Sequence, residues 1–274
     1  MCIAVILWHA HPLYPFLALF NRDEFYSRET SALGWWGEES GCEVLGGRDG
    51  VGGGTWLGCN RSGKIAFLTN VRKPLSEGDR GCSKSRGLLP LRFLQSDINP
   101  REFASEIAGI SNEYNGFNLV VVDIPSNSMI YVTNGQSADT VTVSDVAPGI
   151  HVLSNAALDT PWPKALRLRD AVERYLENHK EKELSLMEMA ETLMTNTVKD
   201  EIENLPGILS RELEYACSSI FVEPHLPWAS FPQRLYGTRS TSGLSVTAGG
   251  EVTFFERNLE MGKWEHRSVK FHIN

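Results

Sequence analysis

The sequence has 274 residues, of which 42% are hydrophobic and 22% are charged. These proportions are typical of a globular protein, and the length suits one large domain or two ordinary ones. The net charge of -8 and the pI near 5.4 argue against a general nucleic-acid-binding protein, which would carry a basic surface.

The cysteine pattern and the first twenty residues bear on the compartment. The five cysteines give an odd count without a closely spaced pair for zinc, which favours reduced thiols and an intracellular protein. The apolar start of the chain carries no positive charge before Arg22, and Pro12 and Pro15 interrupt it. A signal peptide or a transmembrane segment therefore fits poorly.

The chain begins with Met-Cys, followed by an apolar, β-prone run over residues 3–8 that predicts a buried strand. Removal of Met1 would leave Cys2 with both a thiol and a free α-amino group. The α-amino group titrates at about pH 7.7–8.0, so it can act as the base for the thiol on the same residue. This pattern indicates an N-terminal nucleophile, and the alternative is a small cysteine that only packs.

A second strand is predicted at residues 16–20, with residues 9–15 as the turn or loop of a hairpin because they contain two prolines. Four polar residues, Asn-Arg-Asp-Glu, follow this strand. The hairpin would bring Arg22 and Asp23 close to Cys2, where the guanidinium would lower the thiol pKa and the carboxylate could hold the α-amino group. The alternative is a solvated turn with an internal ion pair.

The remaining elements follow in the order strands, helices, strands. Strands are predicted at 65–68, 117–122, 129–133, 150–153, 217–222, 244–246 and 252–256, and helices at 88–94, 100–110, from 159–163 onwards and at 186–194. Asn99 is the expected cap of the second helix. Met187, Ala190 and Met194 are expected on the core face of the last helix. The order indicates one α+β domain over residues 1–274.

Three further patterns suggest chemistry. Asn70 ends a predicted strand, where its amide could donate to an oxyanion or could only terminate the strand. Arg239 lies among hydroxyl residues on a predicted strand, as half of a buried ion pair or as an anion site. His9 and His11 form an HxH pair, which is a weak metal signal without further ligands, and no metal is expected.

Taken together, these residues resemble the NRDE family, also called transport and Golgi organisation protein 2. The blocks that carry the resemblance are Met-Cys at the start and residues 21–24, 53–58, 68–72, 153–155, 158–164 and 237–240. The resemblance implies an N-terminal nucleophile (Ntn) hydrolase-like fold, a four-layer αββα sandwich of the α+β class.

The resemblance also implies roles for single residues. Cys2 resembles the nucleophile, Arg22 the first arginine, Asn70 and Asn155 the two asparagines, and Arg239 the second arginine of the related hydrolases. Those hydrolases place an aspartate about three residues after the first arginine, where this chain has Phe25. Asp23 or Glu24 would therefore have to take that role.

Members of the family are implicated in haem trafficking, in lipid and acyl-CoA homeostasis and in Golgi organisation. The preferred hypothesis is a cytoplasmic protein, with mitochondrial or Golgi-associated pools left open, that binds an apolar anionic cargo such as haem or acyl-CoA and requires no cofactor. The ligand-binding candidates are Arg22, Trp56, Arg72 and Arg239. The alternatives are a Cys2-dependent amidohydrolase or acyltransferase and an organisation factor of the secretory pathway.

Overall fold

The computed structural model describes residues 1–37, 43–74, 84–137, 140–225 and 234–274. Within them the strands are β1 (Ile3–His11), β2 (Tyr14–Phe25), β3 (Thr30–Trp36), β4 (Val44–Asp49), β5 (Leu57–Asn60), β6 (Lys64–Asn70), β7 (Phe117–Asp123), β8 (Ser128–Ser137), β9 (Thr140–Asp145), β10 (Gly149–Leu153), β11 (Tyr236–Val246), β12 (Glu251–Glu260) and β13 (Lys263–His272). The α-helices are α1 (Leu88–Leu94), α2 (Pro100–Gly109), α3 (Pro163–Asn178), α4 (Leu186–Leu193) and α5 (Arg211–Ala216).

The first compact unit comprises residues 1–28, 148–154 and 158–270. Its sheet has six strands in the order β10-β1-β2-β11-β12-β13. Alternate side chains of β1 and β2 pack against α3 and α4 in one core, because successive side chains of a strand point to opposite faces. Helix α3 begins at Pro163, where the missing proline N–H costs no helical hydrogen bond.

The second compact unit comprises residues 29–147, 155–157 and 271–274. Its seven strands follow one another in chain order from β3 to β9, and each pairs antiparallel with the next. Helices α1 and α2 pack against β6, β7 and β8 in a separate core. The predicted cap of α2 is confirmed, because the Asn99 side chain accepts a hydrogen bond from the Glu102 N–H at 3.0 Å.

The predicted first hairpin is confirmed, but its turn is shorter than expected. Strand β1 pairs with β2 in the register Ile3↔Asn21, and both strands extend to a turn at Pro12. Pro15 lies inside β2. The pairing of β2 with β1 changes register at this point, and the pairing of β2 with β11 ends at Phe16, so the missing N–H of Pro15 breaks no regular ladder bond.

The four polar residues Asn-Arg-Asp-Glu do not follow the strand, as the sequence suggested, but complete β2. Their partner is β11, with Asn21 opposite Thr241 and Asp23 opposite Thr238. Asn21, Arg22 and Asp23 are all buried, which contradicts the alternative of a solvated turn. A strand can bury such groups here because the hydroxyl-rich β11 supplies hydrogen-bond donors: Thr241 bonds to Asn21, and Thr238 to Asp23.

Two local predictions are wrong, and one strand was not predicted. Residues 217–222 form no strand, because Cys217 caps the C-terminus of α5 and an irregular segment follows. Met187 is half exposed, since the buried face of α4 is Leu186, Met189, Ala190 and Leu193. Ala190 and Met194 are buried as expected. The strands predicted at 244–246 and 252–256 are confirmed as parts of β11 and β12, whereas β13 was not predicted because its mostly exposed side chains give no apolar alternation.

Candidate active site

The N-terminal ammonium group lies in a closed, polar corner of the first unit. Its nitrogen is 3.1 Å from Asp23 Oδ2, and the Asp23 side chain has no exposed surface. The same nitrogen donates a hydrogen bond to the Tyr236 hydroxyl. Because Met1 precedes β1 and Asp23 is near the end of the adjacent antiparallel strand, the hairpin itself brings the two charges together.

Asp23 is fixed by two residues of β11. Thr238 Oγ1 donates to Asp23 Oδ1 at 2.7 Å, and the Tyr236 hydroxyl donates to the Asp23 carbonyl at 3.2 Å. Burial, and next the Asp23 charge, raise the pKa of Tyr236 well above its usual value, so this phenol stays protonated and can donate. No hydrogen bond within the described residues reaches Asp23 Oδ2, which leaves that oxygen to the nearby ammonium group.

Cys2 lies directly beside this corner. Its Sγ is 3.9 Å from the Asp23 carbonyl, and Ser154 Oγ donates to the Cys2 carbonyl at 2.9 Å. Burial raises the pKa of the Cys2 thiol, while the N-terminal ammonium group opposes that rise. The thiol is therefore the resting form at neutral pH, and attack on a substrate needs a base close by.

The two predicted arginines of this unit lie on neighbouring strands. Arg22 is buried, with its guanidinium 3.7 Å from a Glu24 carboxylate oxygen. Arg239 is the extra residue of a β-bulge, since Thr238 and Ser240 oppose the consecutive residues Asp23 and Arg22. A bulge re-aims side chains, and here Arg239 donates to the carbonyls of Phe25, at 3.3 Å, and of Arg28.

The other candidates belong to the second unit, where three of them meet. Asn155 is buried and its Nδ2 donates to the Asn70 carbonyl at 2.7 Å. The Arg72 N–H donates to the Asn155 carbonyl at 2.7 Å. Trp56 is buried, with 7% of its surface exposed. The oxyanion role of Asn70 and Asn155 stays a prediction, as do the ligand-binding roles of Arg72 and Trp56.

Four residues around the amino terminus were not predicted from the sequence: Ser154, Lys164, Tyr236 and Thr238. Lys164 is 2% exposed, and its ammonium donates to the Cys217 carbonyl at 3.1 Å and the Met1 carbonyl at 3.5 Å. Ser154, Lys164 and Thr238 stand inside the sequence blocks that carry the family resemblance, which is the signal that could have found them.

A hairpin that places Cys2 beside a buried aspartate, in an α+β chain with two sheets, agrees with the expected Ntn hydrolase-like fold. A solved structure of this class, the C2A mutant of the conjugated bile acid hydrolase from Clostridium perfringens, matches with a TM-score of 0.51 at 12% identity. That match covers 100% of this chain and 97% of the other. At such identity the likeness shows the fold alone, and the fold class expected from the sequence is confirmed.

The sequence comparisons show the family. Residues 1–261 match the family described as Transport and Golgi organisation 2, and the chain belongs to it. A homologue of that name from Bos taurus is 34% identical, over 100% of this chain and 99% of its own length. A homologue from Mus musculus is 31% identical, over 99% of each chain.

Within the described ranges, no helix combines the length and apolarity needed to cross a membrane. Nor do His, Cys, Asp and Glu side chains gather there in threes that could hold a metal ion.

Proposed function

We propose that the chain is a Cys2-dependent hydrolase or acyltransferase that acts on amide or thioester bonds once Met1 has been removed. The observation that carries the proposal is the buried Asp23 carboxylate beside the chain's amino terminus, held in place by Thr238 and Tyr236. The geometry thus favours the enzymatic alternative over cargo binding alone, because a protein that only binds a cargo needs no buried carboxylate beside its amino terminus.

The chemistry needs only groups of the processed chain. Cys2 Sγ attacks the acyl carbon, and its own α-amine accepts the thiol proton. The amine then passes this proton to the departing amine or thiolate, which leaves a thioester on Cys2. Water, or an acceptor amine or thiol, breaks the thioester and restores the thiol. With Met1 in place the Cys2 nitrogen is an amide, which cannot accept the proton.

The test uses a chain whose first residue is Cys2, released from a fusion by a site-specific protease and confirmed by intact mass. N-acyl nitroanilides and acyl thioesters serve as probes. We expect Cys2→Ala to abolish turnover, and a chain extended by Gly-Ser ahead of Met1 to be equally inactive. Turnover of Cys2→Ala at the wild-type rate would refute the proposal.

A second variant tests the amino-terminal corner. Asp23→Asn should lower kcat at least tenfold, because the amino terminus loses the carboxylate that faces it. The matched control is Asp145→Asn, since the Asp145 side chain is 74% exposed and pairs only at the surface of the second unit. Equal kcat values in the two variants would contradict the assigned role of Asp23.

The second candidate function is binding of an apolar anionic ligand, such as haem or acyl-CoA, as cargo. It is supported by a cavity of about 400 Å³ beside Arg239, within the size range of small-molecule sites. Its walls are largely apolar, with Trp264 and Phe221 among them, and Arg257 lies over the Trp264 ring at 4.6 Å. An apolar body would contact the rings while an anionic group meets a guanidinium.

Titration of haem and of acyl-CoA, followed by absorbance and calorimetry, tests this candidate. Binding should survive Cys2→Ala and weaken at least tenfold in Trp264→Ala, whereas Arg267→Gln, at an exposed guanidinium, should match the wild type. Binding that is indifferent to Trp264 would refute this cavity as the cargo site.

For the compartment, we propose a cytoplasmic protein with mitochondrial or Golgi-associated pools. In support, Cys2, Cys59 and Cys217 are reduced thiols in the described part of the chain, as in a reducing compartment. Cell fractionation of the full chain checks this proposal, and exclusive recovery from the secreted fraction would refute it.

A further inference from the structure

Met1 occupies a built seat in the first unit. Its ammonium group faces Asp23 Oδ2 and the Tyr236 hydroxyl, and its carbonyl accepts a hydrogen bond from Lys164. Its side chain packs against a small apolar cluster. The buried members of that cluster are Leu213, Cys217, Val222 and Tyr236. A methionyl residue is therefore held at all three of its ends: amine, carbonyl and side chain.

The two charged groups of this seat lie in positions that are energetically unfavourable for a charge. The Asp23 side chain is fully buried and Lys164 is 2% exposed. Lys164 also stands in the first turn of α3, where the helix dipole disfavours a cation. Buried charges need partners, and a carboxylate and an ammonium at opposite ends of one small site complement a zwitterion.

We propose that, in the chain that begins at Cys2, this seat binds a free α-amino acid with an unbranched apolar side chain, such as methionine or norleucine. The ligand ammonium takes the place of the Met1 ammonium at Asp23 and Tyr236, where it competes with the Cys2 α-amine for the Asp23 carboxylate, so bound methionine should also slow acyl turnover. The ligand carboxylate takes the place of the Met1 carbonyl at Lys164, and the side chain enters the apolar cluster. The inference rests on the proposed function in one respect, since the seat opens only when Met1 is gone.

For a ligand of this size we expect a dissociation constant of about 1 mM for L-methionine and for L-norleucine. Bound amino acid would lie in front of Cys2, so it should also slow alkylation of that thiol by iodoacetamide. Methioninol, which lacks the carboxylate, and 4-(methylthio)butanoate, which lacks the amine, should each bind at least tenfold more weakly than methionine. A β-branched ligand such as L-valine should be excluded by the same margin, because the seat holds an unbranched side chain.

The experiment is a calorimetric titration of the Cys2-initiated chain, confirmed by intact mass, with each of these ligands. Lys164→Met removes the carboxylate partner with little change in volume and should lose at least tenfold in methionine affinity. The matched control is Lys270→Met, because the Lys270 side chain is 68% exposed and distant in sequence from the seat. If Lys164→Met does not fold, the comparison of methionine with methioninol on the wild-type chain still decides the proposal.

Two results would overturn the inference: no saturable methionine binding up to 20-fold above the expected constant of about 1 mM, or equal affinity for methionine and methioninol. Its failure is separable from failure of the proposed function, because acyl turnover is measured on the same preparation. Turnover without methionine binding refutes this inference alone. Methionine binding without turnover refutes the hydrolase proposal alone.

Discussion

Glu214 offers the sharpest test of how the fold is held together near the amino terminus. This carboxylate is 2% exposed and accepts three backbone N–H groups of the segment before its own helix. Gly207 donates to Oε2 at 2.7 Å, and Ile208 and Leu209 donate to Oε1 at 2.9 and 3.0 Å. Leu209 in turn packs against the apolar cluster that holds the Met1 side chain.

Glu214→Gln preserves the shape of the side chain and changes its bonding. The amide oxygen can keep the bonds from Ile208 and Leu209, but without a charge each bond weakens by about 1 kcal/mol. The amide NH2 then faces the Gly207 N–H, and an unsatisfied buried donor costs roughly 1–3 kcal/mol. A neutral amide is easier to bury than a carboxylate, which offsets part of this sum. We expect a net loss of about 2–3 kcal/mol.

Equilibrium urea unfolding at pH 7, followed by circular dichroism, measures this loss. Glu212→Gln is the matched control, because Glu212 lies in the same first turn of α5 but is exposed. Its loss should be only a few tenths of a kcal/mol, about the value of one acidic side chain near a helix N-terminus. A difference below about 0.5 kcal/mol between the two variants would refute the assigned role of the three hydrogen bonds.

Two further predictions concern backbone packing and acid stability. A Cβ on Gly54 would lie 2.2 Å from the carbonyl carbon and oxygen of Gly87. Gly54→Ala should therefore lower the free energy of unfolding, measured in urea, by about 3 kcal/mol. Gly109→Ala is the control and should change this free energy little, because a Cβ on Gly109 would meet no atom within 4 Å. Burial raises the pKa of Asp159, but hydrogen bonds from His151 and the backbone outweigh it and leave the pKa below its usual value. Its carboxylate therefore stabilises the fold above about pH 4 and ceases to do so as the pH falls through the lowered pKa. The Asp159→Asn variant should be less stable than the wild type by about 1 kcal/mol at pH 7, allowing for solvent screening. In urea unfolding below the lowered pKa of Asp159, the two proteins should be equally stable. A gap that widened on acidification would contradict this sign.

Local signals predicted much of the fold. The hairpin of β1 and β2, the strands β7 and β8 and the Asn99 cap depend on residues close in sequence, and all of them are confirmed. The pairing of β2 with β11 joins residues more than 200 positions apart, and no local pattern encodes such a contact. That pairing positions Asp23 beside Thr238 and Tyr236, so the site was predicted only in part.

The prediction of which face of α4 is buried was partly wrong for a different reason. On α4 the apolar residues are dense enough for two faces to look buried, and the sequence pattern favours the face with Met187. The structure buries Leu186 and Met189 along with the predicted Ala190 and Met194, because these residues pack with Leu17 and Leu19 in the core formed by β1 and β2. Lys164 was missed because a buried lysine at the start of a helix contradicts both burial and dipole preferences. Predictions from local sequence preferences are expected to fail at positions of this kind, where a residue is kept despite unfavourable local interactions.

The displaced aspartate follows from strand geometry. In the related hydrolases the acid is expected about three residues after the arginine, and here Phe25 stands three residues after Arg22. Positions one and three residues after the arginine differ by two, so Asp23 and Phe25 share a face of β2. Glu24 lies on the opposite face with Arg22, and the two form an ion pair at 3.7 Å. A shift of two residues thus moves the acid by roughly 7 Å along the strand but keeps it on the side of the amino terminus. The freed position holds Phe25, whose ring packs against Tyr236 with centroids 5.4 Å apart and supports the phenol that contacts both Asp23 and Met1. Asp23, and not Glu24, therefore lies on the face of β2 that meets the amino terminus, and the role of the acid is proposed for Asp23.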